Sequence, residues 1–590
     1  MAVTQTQLWN LAKEFIHDSG LVRQHIDSYN DFVERGLQAI VDEVAELPID
    51  IGDYPLRIRL GKIEIGAPRV IEVDGTERSI YPAEARIRNL TYAAPLHMEM
   101  IPVIGEREGQ PEMVYIGDLP VMLKSRICLL SKLGPDELIG VGEDPIDPGG
   151  YFIVNGSERV IVALEDLAAN RILVDVEHTG VNPTYKAKIF STTVGFRARI
   201  ECALKGDGGV YVTMPGIPSD IPFMILMRAL GFEEDAKIAE LVSTDPHVQD
   251  ELEASYEKSL EATNARDAML YLGNRLAPGQ VDEYRLKKAE SVLDRNFLPH
   301  LGRLHSDRKE KALFLAEIAT RIIEVKQAKR SSDDKDHYAN KRLKLAGSLL
   351  AELFRISFRN LTRDLKYQLE RITIRRHIEF SIANAIRPGI ITERVQHAIA
   401  TGNWVRGRIG VTQLLDRTNF ISTLSHLRRL QSPLSRSQPN LEARDLHPTH
   451  YGRLCPDETP EGSNCGLVKN LALSSSISVG IEPREMVDRL RRMGVVPVDE
   501  ADKKLRTTGG KVLVDGFLSG YAKDPVGLAA ELREYRREGK VSSEVNFAYQ
   551  PPETDDGRSE LHVNCDAGRV RRPLILVENG RPRLTEEHLL

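Results

Sequence analysis

The chain has 590 residues, of which 41% are hydrophobic and 28% are charged, and its formal net charge is −7. A chain of this length exceeds what one hydrophobic core supports, and the composition excludes wholesale disorder, so we expect several globular domains. The total charge does not indicate nucleic-acid binding, which leaves only the local charge distribution as evidence for such a partner.

The first half of the chain contains three clear secondary-structure signals. Thr4 and Gln7 can form a capping box for a helix that ends at Gly20. From residue 54 onward apolar residues alternate with polar ones, which predicts a sheet. The pair Asn155 and Gly156 can supply the two positive φ angles of a type I′ turn, which predicts a hairpin.

The middle and the end of the chain alternate between helices and short sheets. Residues 171–330 mix short strands with acidic helices and end in an amphipathic helix, so we interpret them as an inserted domain. Apolar residues at helical spacing predict a further helix over residues 341–367. Beyond residue 474 we expect a smaller α/β piece, with a hairpin over 509–520 and a helix over 527–537. The apolar run 573–577 predicts a strand buried on both faces, and therefore an end of the chain that needs a cover.

The cysteines and the lack of long apolar segments predict a cytoplasmic protein. The five cysteines are odd in number, widely spaced and without a CxxC pair, at positions 128, 202, 455, 465 and 565. This pattern argues against a disulfide framework and favours a reducing compartment. No apolar run approaches the length of a membrane span, and the first residues lack the features of a signal peptide. We therefore expect no membrane partner.

Residues 402–453 form an arginine-rich segment. It contains no lysine and three acids against eight arginines, hence a local charge of +5, with the arginines at positions 406, 408, 417, 428, 429, 436, 444 and 453. A run of charge is commonly a solvated helix face. The exclusive use of arginine favours contact with phosphate instead, because the planar guanidinium binds phosphate through two parallel hydrogen bonds.

The adjoining stretch RDLHPTHYGRLCPDETPEGSNCGLVKNLAL, residues 444–473, has residues typical of a metal site. The spacing of His447, His450, Cys455 and Cys465 does not provide the two closely spaced ligand pairs that zinc prefers. Cys455 and Cys465 are better explained as structural cysteines than as nucleophiles activated by a histidine. The aspartates in DDKDHY, residues 333–338, are interpreted as helix-capping groups rather than a magnesium site. We therefore predict no metal ligands and no catalytic residues.

The loop CPDETPEG within this stretch is expected to be rigid. Pro456 and Pro460 fix φ and remove two backbone donors, while Gly462 permits a sharp turn. A rigid loop with charged residues on either side can position contacts to a polymer. No phosphate-binding loop of the P-loop or Rossmann type occurs in the sequence.

Residues 444–473 and five further blocks of the sequence resemble the second-largest, beta-type subunit of cellular multi-subunit RNA polymerases. Besides residues 444–473, the resemblance is carried in family order by YIGDLPVMLKSRICLL (115–130), DPGGYFIVNGSERVIVALE (147–165), DDKDHYANKRLKLAGSLL (333–350), GVTQLLDRTNFISTLSHLRRL (410–430) and DAGRVRRPLILVENG (566–580). It covers nearly the whole chain from about residue 20. The DDKDHY and GLVKNLAL blocks are similar to archaeal and eukaryotic members, and the short VRGRI loop favours an archaeon.

The sequence departs from the family by what it lacks. The lysine motif of the hybrid-binding barrel, the wall and the zinc-bearing clamp of the second half are missing, and so is the aspartate loop of the largest subunit. The chain therefore resembles the amino-terminal half of a split subunit, the B″ family of certain euryarchaea, and its mild charge favours a methanogen over a halophile.

The resemblance implies a multidomain α+β fold. We expect the first part of a protrusion domain at 1–165, an inserted lobe at 166–335, the return of the protrusion at 336–398, a fork at 399–478 and the first part of an external domain at 479–590. In the family the fork faces the RNA–DNA hybrid and the template. The contact residues carried over by position are Gln413, Arg428, Arg429, Arg453, Glu461, Asn464 and Lys469. Asp416 and His426 match positions of an inhibitor pocket in bacterial relatives, but the flanking sequence differs.

The implied function is that of a subunit of DNA-directed RNA polymerase, which is not catalytic as an isolated chain. The chain itself binds no cofactor, and the catalytic Mg²⁺ is held by a partner subunit. The implied partners are the carboxyl-terminal half of the split subunit, the largest and assembly subunits, template DNA, the RNA–DNA hybrid and transcription initiation factors. A free-standing RNA- or DNA-binding module and a self-sufficient nucleotidyltransferase are the alternatives, and the lack of an aspartate triad disfavours the latter.

Overall fold

A computed structural model describes residues 4–51, 54–178, 182–193, 195–375, 382–437, 440–554 and 558–585. The chain folds into two compact units. The first unit contains residues 1–166, 342–479 and 568–590, and the second contains residues 167–341 and 480–567. The expected mixture of helices and sheets is confirmed. The expected insertion at 166–335 lies close to the boundaries of the second unit, which also takes in residues 480–567, while the domain names stay predictions.

The main sheet of the first unit has five antiparallel strands. Strand Tyr54–Ile65 lies between Glu46–Ile51 and Ala93–Ile104, and Arg107–Glu108 and Glu112–Pro120 both pair with Ala93–Ile104. The predicted alternation is confirmed, because Leu56, Ile58 and Leu60 are all buried. A register shift between Leu60 and Ile63 marks a bulge. The alternating face packs into one hydrophobic core.

A long helix, Ala346–Arg375, contributes the leucines at helical spacing to the same core. The prediction of a helix from residue 341 is wrong at its start, since residues Lys341–Lys344 form a strand. Leu343 is buried in that strand and its backbone N–H donates to Gly568 O at 2.8 Å. Sequence periodicity could not separate these four residues from the helix, because one buried leucine fits both patterns.

The predicted Asn155–Gly156 turn is confirmed. Both residues have positive φ, 50° and 74°, and they join strands Phe152–Val154 and Ser157–Ile161. Strand Thr412–Leu414 pairs on the other side of Ser157–Ile161, with Gln413 opposite Val160. The hairpin therefore positions the first of the candidate contact residues.

The prediction of a doubly buried strand at 573–577 is wrong. Leu574 is 74% exposed and Val577 is 62% exposed, and only Val577–Glu578 forms a strand, paired with Arg581–Pro582. A two-residue strand cannot supply the neighbours that burial on both faces requires. The run is therefore exposed apolar surface, and the terminal Leu589 and Leu590 lie outside the described residues.

The other elements of the first unit are short. The opening helix Gln5–Ser19 has the predicted capping box, with Gln7 N donating to Thr4 Oγ1. The other helices are Arg23–Asp31, a π-turn at Phe32–Gly36, Leu37–Asp42, Pro82–Ile87, Pro135–Gly140, Ile382–Ala385, Gly389–Thr401, Phe420–Leu427 and Leu441–Arg444. The other strands are Arg69–Ile71, Glu77–Ser79, Ala163–Leu167, Arg429–Gln431, Val468–Asn470, Ser476–Ile477 and Val570–Arg571.

The described residues of the second unit form two sheets. The first is antiparallel in the order Leu173–Glu177, Thr184–Thr193, Phe196–Leu204, Val210–Thr213, Ile221–Pro222. The second has the order Val496–Pro497, Phe517–Ala522, Gly510–Val514, Glu560–Asn564, Asn546–Gln550. The hairpin expected over 509–520 is confirmed, with strands Gly510–Val514 and Phe517–Ala522.

The helices of the second unit pack against these sheets and against one another. They are Phe223–Ala229, Asp235–Val242, Pro246–Asp250, Glu253–Glu257, Ala265–Leu276, Asp282–Asn296, Arg308–Lys326, Pro483–Arg492, Lys503–Thr508 and Pro525–Arg537. The helix predicted at 527–537 is confirmed and begins two residues earlier. Among the described residues, no helix combines the length and the apolar composition that crossing a membrane requires.

Helix Arg308–Lys326 is buried on nearly every side. Its predicted apolar face is confirmed, but the charged side chains of Lys311, Glu317 and Arg321 are buried as well. Glu317 accepts two hydrogen bonds from Lys511 Nζ, at 2.9 and 3.0 Å, and one from Arg321 Nε at 2.9 Å. Arg330 donates to Glu560 at 2.9 Å, and Arg321 lies 3.5 Å from the same carboxylate. We call Glu317, Arg321, Arg330, Lys511 and Glu560 the buried ion cluster.

The buried ion cluster predicts acid sensitivity of the second unit. Burial alone would raise the pKa of both carboxylates. Lys511 and Arg321 outweigh it at Glu317, and Arg321, His562 and Arg330 outweigh it at Glu560, so both pKa values are lowered from 4.5. A lowered carboxylate pKa stabilises the fold above pH 4.5, and this stability is lost as the pH falls through the folded-state value. Burial also lowers the pKa of His300 and His562, so some loss begins below pH 6.5.

We therefore expect the unfolding temperature of this unit to fall on acidification, most steeply below pH 4.5. Calorimetric scans between pH 7 and pH 3 measure it. A temperature that stays constant over this range would contradict the assignment of these pKa shifts.

Candidate nucleic-acid interface

The candidate interface, residues 402–470, is built on a short central strand. Strand Arg429–Gln431 pairs in parallel with Ala163–Leu167, with Leu430 opposite Ala163, and antiparallel with Val468–Asn470. Helix Phe420–Leu427 precedes it. Arg428 and Arg429 follow one another where the helix gives way to the strand, and their side chains have different environments: that of Arg428 is buried and that of Arg429 is half-buried.

Arg428 is a structural residue in this arrangement. It is 5% exposed and its guanidinium donates to Leu21 O and, at 2.5 Å, to Ala472 O. Burial lowers the pKa of Arg428 to about 10. Through these two carbonyls the side chain joins the segment before helix Arg23–Asp31 to the segment just after the candidate interface.

Arg444 and Arg453 also hold backbone in place. Arg444 Nη1 donates to Ser463 O and Cys465 O, both at 2.8 Å. Arg453 donates to Val570 O and Thr449 O, both at 3.0 Å. Burial, together with the charge of Arg572, lowers the pKa of Arg453. The fork-shaped guanidinium is well suited to closing loops in this way.

Arg408 and Arg417 are paired with acids that lie outside the arginine-rich segment. Arg408 donates to Glu352 at 3.2 Å, while Arg417 donates to Glu158 at 2.6 Å and to Asp147 at 2.8 Å. The local charge of +5 therefore overstates the positive charge at this surface. Within the described residues, the arginines of the segment whose side chains form no hydrogen bond or ion pair are 406, 429 and 436.

Lys469 is buried as well. Its ammonium donates to Glu165 Oε2 at 3.0 Å, and the two residues are 7% and 3% exposed. Strand Arg429–Gln431 separates the strands that carry them. Neither Lys469 nor Arg428 has its charged group at the surface, so the structure favours a scaffolding role for both.

The remaining candidates reach the surface. Gln413 is half-buried and hydrogen-bonds His426 at 2.9 Å. Glu461 is exposed and Asn464 is half-buried, and in the part of the chain that the structure describes neither side chain forms a hydrogen bond. Together with Arg429 they form the surface group: Gln413, Arg429, Glu461 and Asn464. Contact between these residues and nucleic acid stays a prediction.

The 448–466 loop is closed by its own hydrogen bonds. Thr459 Oγ1 donates to Val468 O and accepts from Gly466 N, both at 2.9 Å. Gly462 and Gly466 have φ of 76° and 72°, which only glycine adopts without strain. These contacts hold the loop that carries Glu461 and Asn464 against strand Val468–Asn470.

The histidines, cysteines and aspartates that the structure describes do not assemble a metal site. No group of three or more His, Cys, Asp or Glu side chains that could hold a metal ion occurs among the described residues. The interpretation of residues 333–338 as helix caps is wrong, because a short turn and a strand follow them. Asp333 instead accepts a hydrogen bond from Val174 N, and Asp336 pairs with Lys341 at 2.8 Å.

Sequence reasoning missed two features of this region. One is an apolar hollow of about 940 Å³ beside the loop, lined by Leu424, Leu446, Tyr451, Leu454 and Leu473 among others. Its leucines are scattered, so no sequence period marks it. The other is the hydrogen bond between His426 and Gln413, thirteen residues apart. No sequence period links the two residues, because Gln413 lies in a strand and His426 in the helix that follows it.

Comparison with known proteins identifies the family of this chain. The family model described as RNA polymerase beta subunit matches residues 20–393. The chain belongs to the RNA polymerase beta-subunit family. The models described as RNA polymerase Rpb2, domain 3 and domain 4, match residues 413–477 and 512–578. The domain 3 match covers most of the candidate interface of this beta-type chain.

Three relatives of this beta-type chain come from archaea. DNA-directed RNA polymerase subunit Rpo2 of Saccharolobus solfataricus is 53% identical over 597 residues, which cover 100% of this chain and 52% of the relative. Subunit Rpo2N of Methanococcus vannielii is 50% identical over 82% of this chain and 97% of the relative. Rpo2N of Halobacterium salinarum is 44% identical, with 82% and 95% coverage.

The chain thus spans about half the length of the Saccharolobus relative. The predicted resemblance to the archaeal beta-type subunit, including its Rpo2N form, is confirmed.

Proposed function

We propose that the chain acts as part of a DNA-directed RNA polymerase, in which the surface group contacts the RNA–DNA hybrid and the template. The observation that carries the proposal is that an arginine with no side-chain partner in the described part of the chain lies inside the segment that matches Rpb2 domain 3. The segment that matches Rpb2 domain 3, residues 413–477, contains Arg429, whose guanidinium has no side-chain partner among the described residues. A charge presented on a rigid strand can neutralise a phosphate without reorganising.

This chain contributes positioning rather than bond making. In nucleotidyl transfer, carboxylates hold the magnesium ions and the protein positions and neutralises the reacting phosphates. Among the residues that the structure describes, no group of three or more His, Cys, Asp or Glu side chains could hold such an ion. Asp416, three positions after Gln413, accepts a hydrogen bond from Thr418 N at 2.9 Å and one from Ser422. Following the family resemblance, we assign the catalytic Mg²⁺ to the largest subunit.

The proposed partners follow from the family. They are the polypeptide that supplies the second half of the subunit, the largest and assembly subunits, template DNA, the RNA–DNA hybrid and initiation factors. The relatives named Rpo2N support a separate second half. We further propose that residues 1–165 and 336–398 form the protrusion, residues 166–335 the lobe, residues 399–478 the fork and residues 479–590 the external domain. We also propose a cytoplasmic location.

Replacing Arg429 with alanine in the assembled polymerase is expected to weaken the elongation complex. One lost phosphate contact lowers the slope of log affinity against log salt by about 0.7–0.9. The measurement is the dissociation of stalled complexes over a salt titration. Arg436→Ala is the matched control, because Arg436 is exposed and its side chain has no partner among the described residues, but it lies outside the surface group.

Equal slopes for Arg429→Ala and wild type would contradict the proposed contact. Assembly tests the wider proposal and separates it from a free-standing nucleic-acid-binding module. The chain should co-purify with the other polymerase subunits and be required for templated synthesis. Full synthesis by the other subunits without this chain would exclude it as a polymerase subunit.

A further inference from the structure

His426 has one defined protonation pattern. The backbone N–H of Asp416 lies 3.1 Å from His426 Nδ1, and a backbone N–H can only donate. Nδ1 must therefore be the acceptor and carry no proton. A neutral imidazole with an unprotonated Nδ1 carries its proton on Nε2. The tautomer of His426 thus follows from the geometry of the main chain.

That tautomer determines the orientation of the Gln413 amide. The Nε2–H of His426 requires an acceptor, and Gln413 Oε1 lies 2.9 Å away. The amide is planar, so the Nε2 amino group of Gln413 points away from the histidine. Its one partner among the described residues is Gly410 O, at 3.5 Å, the outer limit of a hydrogen bond. The amino group therefore keeps donor capacity for a ligand.

The surroundings keep this arrangement in place. Asp416 O accepts from Thr423 Oγ1 at 2.6 Å, and Asp416 Oδ1 accepts from Thr418 N at 2.9 Å, which holds the turn that carries the donating N–H. His426 is 4% exposed. Burial, with a contribution from Arg429, lowers the pKa of His426 to about 4 although Asp416 opposes it. The imidazole is therefore neutral at pH 7.

We propose that His426 is a positioning residue, which holds the Gln413 amide so that its amino group donates to an oxygen of the sugar–phosphate backbone bound at the surface group. The inference rests on the proposed function, since it requires a nucleic-acid strand bound along this surface. It goes further by assigning the direction of the hydrogen bond and the chemistry of its acceptor. His426 acts through Gln413 and makes no contact of its own with the nucleic acid.

Two conservative variants separate positioning from simple structural support. In His426→Gln the side-chain amide reaches the place of Nε2 and can donate to Gln413 Oε1, but it leaves Asp416 N–H without its partner. In His426→Asn the amide oxygen takes the place of Nδ1 and accepts from Asp416 N–H, but it cannot reach Gln413. Structural support predicts that asparagine rescues function, whereas positioning predicts that glutamine does.

The test uses the assembled polymerase stalled on a defined template, with the half-life of the elongation complex and the unfolding temperature measured for each variant. We expect Gln413→Ala and His426→Asn each to shorten the half-life about fivefold, the size of effect that one neutral hydrogen bond supports. His426→Gln should keep a half-life near that of wild type even where its unfolding temperature is lower. The double variant Gln413→Ala/His426→Asn should be no worse than either single variant.

The proposal is overturned if His426→Asn matches wild type, if glutamine rescues no better than asparagine, or if the two single effects add. A normal half-life for Gln413→Ala combined with a shortened one for Arg429→Ala would overturn this inference and leave the proposed function intact. RNA with 2′-deoxy substitutions identifies the acceptor. If Gln413→Ala no longer shortens the half-life on the substituted RNA, the acceptor is a ribose hydroxyl. If it still does, the acceptor is a phosphate oxygen. Both outcomes support the proposal.

Discussion

Replacing Lys511 with methionine is expected to lower the free energy of unfolding of the second unit by about 3–5 kcal/mol. Lys511 is 2% exposed and bonds both oxygens of Glu317, which is itself 7% exposed. Methionine has a similar length but no charge, so Glu317 would share Arg321 with Glu560. Removing one partner of a buried ion pair is costly because the other charge stays buried.

Hydrogen exchange in the full-length chain measures this effect locally. A loss of 3 kcal/mol should accelerate exchange in strand Gly510–Val514 and helix Arg308–Lys326 about a hundredfold. Lys309→Met is the matched control, since Lys309 pairs with Asp499 at 2.8 Å but both side chains are more than half exposed. An exposed pair is worth at most about 1 kcal/mol. Equal exchange in the two variants would contradict the stabilising role of the buried ion cluster.

Replacing Gly466 with alanine is expected to open the 448–466 loop at a cost of about 3 kcal/mol, the upper range of backbone strain at one residue. A Cβ at Gly466 would lie 2.3 Å from Arg444 O and 2.6 Å from Arg444 Cα, and its φ of +72° disfavours any side chain. The obstruction is backbone and cannot rotate away. The hydrogen bonds from Arg444 to Ser463 O and Cys465 O close the same contact and would break with it.

Gly462→Ala is the control within the same loop. Gly462 has a similar φ of +76°, but an added Cβ would meet nothing within 4 Å, so only the strain of about 1 kcal/mol remains. Hydrogen exchange of residues 444–466 should rise strongly in Gly466→Ala and only slightly in Gly462→Ala. RNA synthesis by polymerase assembled with each variant should follow the same order. Similar behaviour of the two variants would show that the contact at Arg444 does not hold the loop.

Features set by neighbouring residues could be predicted from the sequence. The Asn155–Gly156 turn depends on two residues with positive φ, and the strand over Leu56, Ile58 and Leu60 depends on a period of two. The capping box at Thr4 is local in the same way. The apolar run 573–577 has an equally clear local pattern, yet it is exposed, because burial depends on what packs against a segment.

The role of each arginine could not be predicted, because it depends on residues far away in the chain. Arg417 pairs with Glu158, 259 positions away, and Arg428 donates to Leu21 O, 407 positions away. Arg429 follows Arg428 directly but has no such partner among the described residues. Composition marked the segment as basic, while the fold decides which of its arginines keeps a free charge for a ligand.

Crosslinking within a stalled elongation complex tests the central claim most directly. The complex is assembled from this chain and its proposed partners, with 4-thiouridine at defined positions of the RNA in the hybrid, and irradiated. Adducts are then mapped by mass spectrometry. We predict adducts on peptides that contain Gln413, Arg429 or residues 461–464. Adducts confined to partner subunits, or to parts of this chain outside residues 402–470, in an enzyme that still synthesises RNA would contradict the account.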